Sequence, residues 1–219
     1  MRVSQKAIGS PWIDSAVIYG WFLAAFLLSS WISRHVTHSI STNIALDLIP
    51  YLTIFTLVMW RRSRGHPFFR VGSLGTAFGR APILWILAAG IATYTAHRSG
   101  IFGPHSMGWR VYTFFSDSVE TPLTEEFAFR GAILTALNMT RLGTRSLLGL
   151  QHGTLVSAIA FASVHLLALF NGMPLREAPA FVASAFGAGI VFGYFYQRTQ
   201  NLWYGIFIHA LGNFSQILP

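Results

Sequence analysis

Thr121-Pro122-Leu123-Thr124-Glu125-Glu126-Phe127-Ala128-Phe129-Arg130-Gly131 sets two carboxylates and a guanidinium inside an otherwise apolar stretch, from about Trp109 to Asn138. A charge at the centre of a bilayer costs about 2.5–3.5 kcal/mol on insertion scales and more in simulations, so such residues pair with one another and mark function. Glu126 and Arg130 are four apart, acid before base, and form a favourable pair on one helix face. Glu125 is rotated about 100° from Glu126 and need not share that partner. Facing a small wet cavity, it would serve as a general base; in the alternative, both glutamates are packing charges neutralised by Arg130. Pro122 either opens a helix at its first turn or kinks a continuous one. Both options leave the glutamates beside loosened backbone and its partial positive charge.

Two later apolar segments each carry a histidine with a partner one turn away: Phe161 with His165, and His209 with Asn213. A single histidine on an apolar helix is more often a hydrogen-bonded core residue than a catalyst. Two of them, each mid-segment, together with two intramembrane glutamates, shift that balance. Polar groups at membrane depth need partners, and facing one another inside a bundle supplies them.

The composition fits this setting. Of 219 residues, 53% are hydrophobic and only 10% charged, with a mean hydropathy of +0.51. Soluble domains average about 25% charged residues, so this chain lacks the polar shell that a water-facing surface needs. The expected fold is all-α: a polytopic transmembrane helix bundle forming a single membrane domain over 1–219. Residues 1–108 supply N-terminal spans and loops, and 109–219 the core with the polar motifs. No cysteine is present, which excludes disulfides, thiolate nucleophiles and cysteine metal sites, and also prenylation of this chain's own C-terminus.

About seven spans are expected: Trp12–Ser33, Asn43–Trp60, about Ala81–Ala96, Trp109–Asn138 interrupted by Pro122, Gly153–Phe170, Ala178–Gln197 and Leu202–Leu218. The first is long for a signal peptide and has no small-x-small cleavage site after it, so it reads as a retained helix. An N-in/C-out topology puts ten basic residues inside (Arg2, Lys6, Arg61, Arg62, Arg64, Arg70, Arg80, Arg141, Arg145, Arg198) and four outside (Arg34, Arg98, Arg110, Arg176), with Arg130 within a span. That asymmetry is the positive-inside pattern. It also accounts for the net charge of +8 without nucleic acid, because the basic residues cluster between apolar segments.

The Arg61–Arg80 connection, with Phe68-Phe69, suits the inner interface as well as it suits a solvated loop. The glycine-containing His97–Gly108 connection is expected to be mobile. Gly189 and Gly193, with Ala185 one turn earlier, form a G-x-x-x-G step for close helix packing. Gly187-Ala188-Gly189 fails as a dinucleotide fingerprint on spacing and context. His35 and His38 form a surface pair without a carboxylate.

Glu125-Glu126-x-x-x-Arg130, Phe161-x-x-x-His165 and His209-x-x-x-Asn213 resemble, in order, the three motifs of the CPBP intramembrane proteases. That family includes the CAAX prenyl endopeptidases and the Abi group of bacteriocin-processing and immunity proteins. The resemblance runs from about Pro122 to Asn213, with Phe129-Arg130-Gly131 also in the family's style. It implies that Glu125 and His165 hold and activate a water, that His209 and Asn213 stabilise the oxyanion, and that Glu126, Arg130 and Phe161 support the site. It also implies a membrane-associated peptide or protein substrate and no cofactor, and the short chain suits a multi-pass protein of a prokaryotic inner membrane.

The residues alone leave other chemistries open. Glu125, His165 and His209 would make a three-ligand zinc site with an open position, although no H-E-x-x-H occurs. A non-catalytic immunity or scaffold protein of the same fold, and a proton relay or transporter, also use intramembrane Glu and His. No G-x-S-x-G elbow and no pair of intramembrane aspartates is present.

Overall fold

The computed structural model describes residues 10–35, 39–63, 72 and 107–214. Among the described residues the fold is helical apart from one small hairpin. Helix α1 is Pro11–His35 and α2 is Ile40–Ser63. A continuous helical run follows, made of α3 (Met107–Phe115), a π-helical stretch π1 (Ser116–Glu120), α4 (Thr121–Glu126), a second π stretch π2 (Phe127–Leu134) and α5 (Thr135–Leu137). Then come α6 (Arg141–Thr144), strands β1 (Ser146–Leu147) and β2 (Leu150–Gln151), α7 (His152–Val164), α8 (Leu167–Phe170), α9 (Ala178–Thr199) and α10 (Leu202–Phe214).

Pro122 does not divide the fourth segment. It sits in the first turn of α4, where its missing N–H removes one return bond. The turn before it widens instead, and Thr121 N–H bonds back to Ser116 O, five residues away. The chain therefore continues as one run through the glutamates.

Among the described residues, three stretches are long and apolar enough to cross a bilayer: 11–32, 152–170 and 178–199. This is fewer than the seven expected, for identifiable reasons. The expected span at 81–96 lies outside the described residues, as do most of the 61–80 and 97–108 connections and His38. The 107–137 run is broken into α and π pieces and carries Asp117, Glu120, Glu125, Glu126 and Arg130. Helix α2 is diluted by serine, threonine, asparagine and terminal arginines, and α10 is described over only 13 residues.

Trp12 and Trp31 are exposed near the two ends of α1. They are separated by about 28 Å at about 1.5 Å per residue, close to the hydrocarbon thickness that interfacial tryptophans bracket. The core forms where α1, π2, α7 and α9 meet, around Ile18, Phe22, Phe129, Ile133, Phe161 and Phe192. Phe22 meets Phe129 edge-on at 5.1 Å, and Phe129 meets Phe161 at 5.2 Å, the arrangement that ring quadrupoles favour.

The G-x-x-x-G expectation is met. A Cβ on Gly193 would lie 2.7 Å from Thr154 Cγ2, and one on Gly189 would lie 3.1 Å from Ala158 Cα. These glycines let α9 close onto α7, and that closeness sets the depth of everything anchored between them.

Candidate active site

Glu126 and Arg130 form the pair that their spacing predicts. Arg130 Nη1 donates to Glu126 Oε1 at 2.9 Å, with both side chains 0% exposed. Arg130 Nη2 donates to the Gly189 carbonyl at 3.2 Å. The guanidinium carbon lies 4.4 Å from the centre of the Phe161 ring and 5.1 Å from that of Phe192, a desolvated cation–π arrangement. One side chain thus ties π2 to α7 and α9.

Glu125 is also buried but does not share Arg130 through a hydrogen bond. Its Oε2 lies 3.6 Å from His209 Nε2, while His209 Nδ1 lies 3.4 Å from Glu126 Oε1. The imidazole therefore sits between both carboxylates, stacked on Phe192 at 5.1 Å and 21°. The His209 ring, which shares a helix face with Asn213, is thus engaged by α4. The two residues remain one turn apart on α10, where Asn213 Nδ2 donates to Asp117 O in π1 at 2.7 Å. A carboxamide has two N–H groups, so this bond uses one of them.

His165 lies just past the last residue of α7, yet its Nδ1–H donates to Phe161 O at 2.8 Å. A carbonyl only accepts, so Nδ1 carries a proton in this bond, and Nε2 is left facing away from it. The ring packs 4.7 Å from Phe161 and 5.3 Å from Phe181. His209 is the imidazole that approaches Glu125, at 3.6 Å.

A cavity of about 110 Å³ opens beside Glu125, lined by Phe26 and Ser29 of α1, Pro50 and Tyr51 of α2, Ser116 and Glu120 of π1, and Thr121 and Thr124 of α4. Glu125 Oε2 and Thr124 Oγ1 are buried without hydrogen-bond partners. Such a cavity is roomy enough for several water molecules, and buried polar groups of this kind are what internal water satisfies.

Among the described residues, no three His, Asp or Glu side chains converge with metal-ligating geometry. Glu125, His165 and His209 do not fit a three-ligand zinc site, so no step is routed through a metal.

Three contributors escaped the motif reading. Gly205 packs against the site, and a Cβ there would lie 2.5 Å from Glu126 Oε2. Phe192 stacks on His209, and Asp117 receives Asn213 through its backbone. Gly205 did leave a signal: it lies one turn before His209, on the face shared with Asn213.

This arrangement of Glu, Glu, Arg and His lies wholly within one matched segment. Residues 107–215 match the Rce1-like family. Its description is type II CAAX prenyl endopeptidase Rce1-like. The match begins at α3 and reaches the end of α10, so it contains Glu125, Glu126, Arg130, Phe161, His165, His209 and Asn213. No curated protein and no solved structure matches the chain.

Proposed function

We propose that this protein is an intramembrane endopeptidase that hydrolyses a peptide bond in a membrane-associated substrate. The observation that carries this reading is Glu125. It is a buried carboxylate beside a small cavity, with an unbonded oxygen and an imidazole 3.6 Å away, in a region matching a peptidase family.

Water held by Glu125 and His165 Nε2 attacks the scissile carbonyl carbon as Glu125 takes its proton. The carbonyl oxygen becomes an oxyanion facing donors on α10, a His209 N–H and the second N–H of Asn213. Glu125 then returns the proton to the leaving nitrogen as the C–N bond breaks. Glu126, Arg130 and Phe161 keep α4, π2, α7 and α9 in register.

The finer topology belongs to the same proposal: about seven spans, N-in/C-out, in a prokaryotic inner membrane. It is supported by Arg141, Arg145 and Arg198 lying at one end of the 152–170 and 178–199 stretches, with Arg176 at the other. An apolar cavity of about 580 Å³ between α7 and the first half of α9, lined by Ile159, Leu166, Val182 and Phe186, suits a substrate that arrives from lipid.

The test compares membrane proteomes of cells carrying wild type, Glu125→Gln or no protein. A peptide end made only with wild type is expected. Loss of a general base costs about 10²–10⁴ in rate, so Glu125→Gln should resemble the deletion. Equal processing by Glu125→Gln would favour the non-catalytic binding or scaffold role.

A further inference from the structure

The segment between α5 and α7 takes no part in the site. From Met139 to His152 it carries Arg141, Arg145 and His152 and no Asp or Glu. Thr140 caps α6, its Oγ1 accepting from Gly143 N–H at 2.8 Å. Strands β1 and β2 then pair with Ser146 opposite Gln151 and Leu147 opposite Leu150. The two turn residues, Leu148 and Gly149, have φ of 52° and 82°.

Left-handed backbone suits Gly149 and is unfavourable for a leucine. Hairpin turns of this hand ordinarily take Asn or Asp at the first position. Leu148 is also 97% exposed, so no packing within the protein offsets its conformation, and Leu147 beside it is 61% exposed.

The hairpin is firmly held. Gln197, near the end of α9, accepts at Oε1 from Gln151 N–H and from Thr154 Oγ1–H, both at 3.0 Å, and its Nε2 donates to Gly149 O at 2.9 Å. His152 N–H closes onto Arg145 O at 2.8 Å. The 152–170 stretch begins directly after β2, and the 178–199 stretch ends beside the hairpin that Gln197 holds. The tip therefore stands at the shared end of two bilayer-length helices. Arg198 lies over Tyr194 at 5.4 Å on the same end of α9, an aromatic and basic pairing typical of the interface.

We propose that the hairpin Ser146–Gln151 is a membrane-inserting tip, with Leu147 and Leu148 entering the acyl boundary while Arg141 and Arg145 engage the phosphates of anionic phospholipid. Insertion takes the two leucines out of water, and the arginines add an attraction that salt screens. The bilayer is the occupant because the tip is fixed at the shared end of those two helices. No acidic side chain in the segment repels its headgroups.

The chain has no cysteine, so Leu148→Cys creates a single labelling site. The full-length variant, labelled with an NBD fluorophore, is placed in nanodiscs of phosphatidylcholine with or without phosphatidylglycerol. With phosphatidylglycerol the expected result is blue-shifted emission, quenching by doxyl groups on the acyl chains, and protection from aqueous iodide. Adding Arg141→Gln and Arg145→Gln should reduce the doxyl quenching. Iodide quenching as strong as for free NBD-cysteine would overturn the insertion. Shielding from both quenchers would report a protein surface, a second copy included, and would overturn it too. Equal doxyl quenching without phosphatidylglycerol would overturn the anionic-lipid role.

Discussion

Replacing Arg130 by methionine is the sharpest test of how the fold holds its charges. Methionine keeps much of the aliphatic stem and its contact with Phe161 and Phe192, but removes the guanidinium. Glu126 then loses a 2.9 Å partner in a place with no solvent exposure, and Gly189 O loses a donor. Breaking a buried pair by removing one member costs about 3–5 kcal/mol, because the remaining charge is uncompensated. His209 Nδ1, 3.4 Å from the same Glu126 oxygen, can take over part of that role, which places the expectation near 3 kcal/mol. At about 2–4 °C per kcal/mol for a chain of this length, the midpoint should fall by about 6–12 °C. Thermal unfolding in detergent micelles, followed by tryptophan emission, reads this directly. The double variant Glu126→Gln/Arg130→Met removes both charges and should recover at least half of the loss. A single variant within about 1 kcal/mol of wild type, the range of exposed pairs, would refute the buried-pair argument. So would a double variant no more stable than the single.

Gly205→Ala should lower hydrolysis by about 10²-fold, the cost of displacing a site by roughly 1 Å, because its Cβ would crowd Glu126 Oε2. Gly212→Ala on the same helix meets nothing within 4 Å and should leave turnover unchanged; equal behaviour of the two would contradict the packing at 205. Chelation should leave activity intact and purified protein should carry no stoichiometric zinc, given the ligand geometry. Activity lost to chelator and restored by zinc would reverse that assignment.

Local pairings were legible because helical spacing decides them. The Glu126–Arg130 pair, the Phe161–His165 contact and the Gly189–Gly193 approach all follow from residues four apart. That Glu125 and His209 share one site was legible from the need of buried polar groups to face one another, but that His209 reaches both glutamates was not, because it depends on the rotation of α10 against α4. The widened turns around the glutamates were hidden for a related reason: π geometry at Pro122 is a response to a missing N–H, and a kink or a helix start would answer the same defect. Span counting suffered where the chemistry is densest. The 107–137 run reads as one apolar segment in the sequence, yet its α and π pieces and its charged groups keep it out of the bilayer-length apolar stretches.

The position of His209 bears on how the two glutamates are to be separated by experiment. Consecutive residues on a helix diverge by about 100°, yet one imidazole reaches both, Glu126 through Nδ1 and Glu125 through Nε2. The buried pair that holds α4, π2 and α9 together is therefore coupled to the proposed base through a single ring. Substituting Glu126 disturbs Arg130 and His209 together, so lost activity there does not distinguish a chemical role from a structural one. Glu125 bonds to neither Arg130 nor Gly189, and Glu125→Gln preserves its shape while leaving the Glu126–Arg130 pair in place. If that variant keeps the wild-type melting midpoint and loses hydrolysis, the loss belongs to proton transfer. If the midpoint falls as well, the His209 contact contributes to the fold, and His209→Gln with its own thermal midpoint becomes the comparison that apportions the effect.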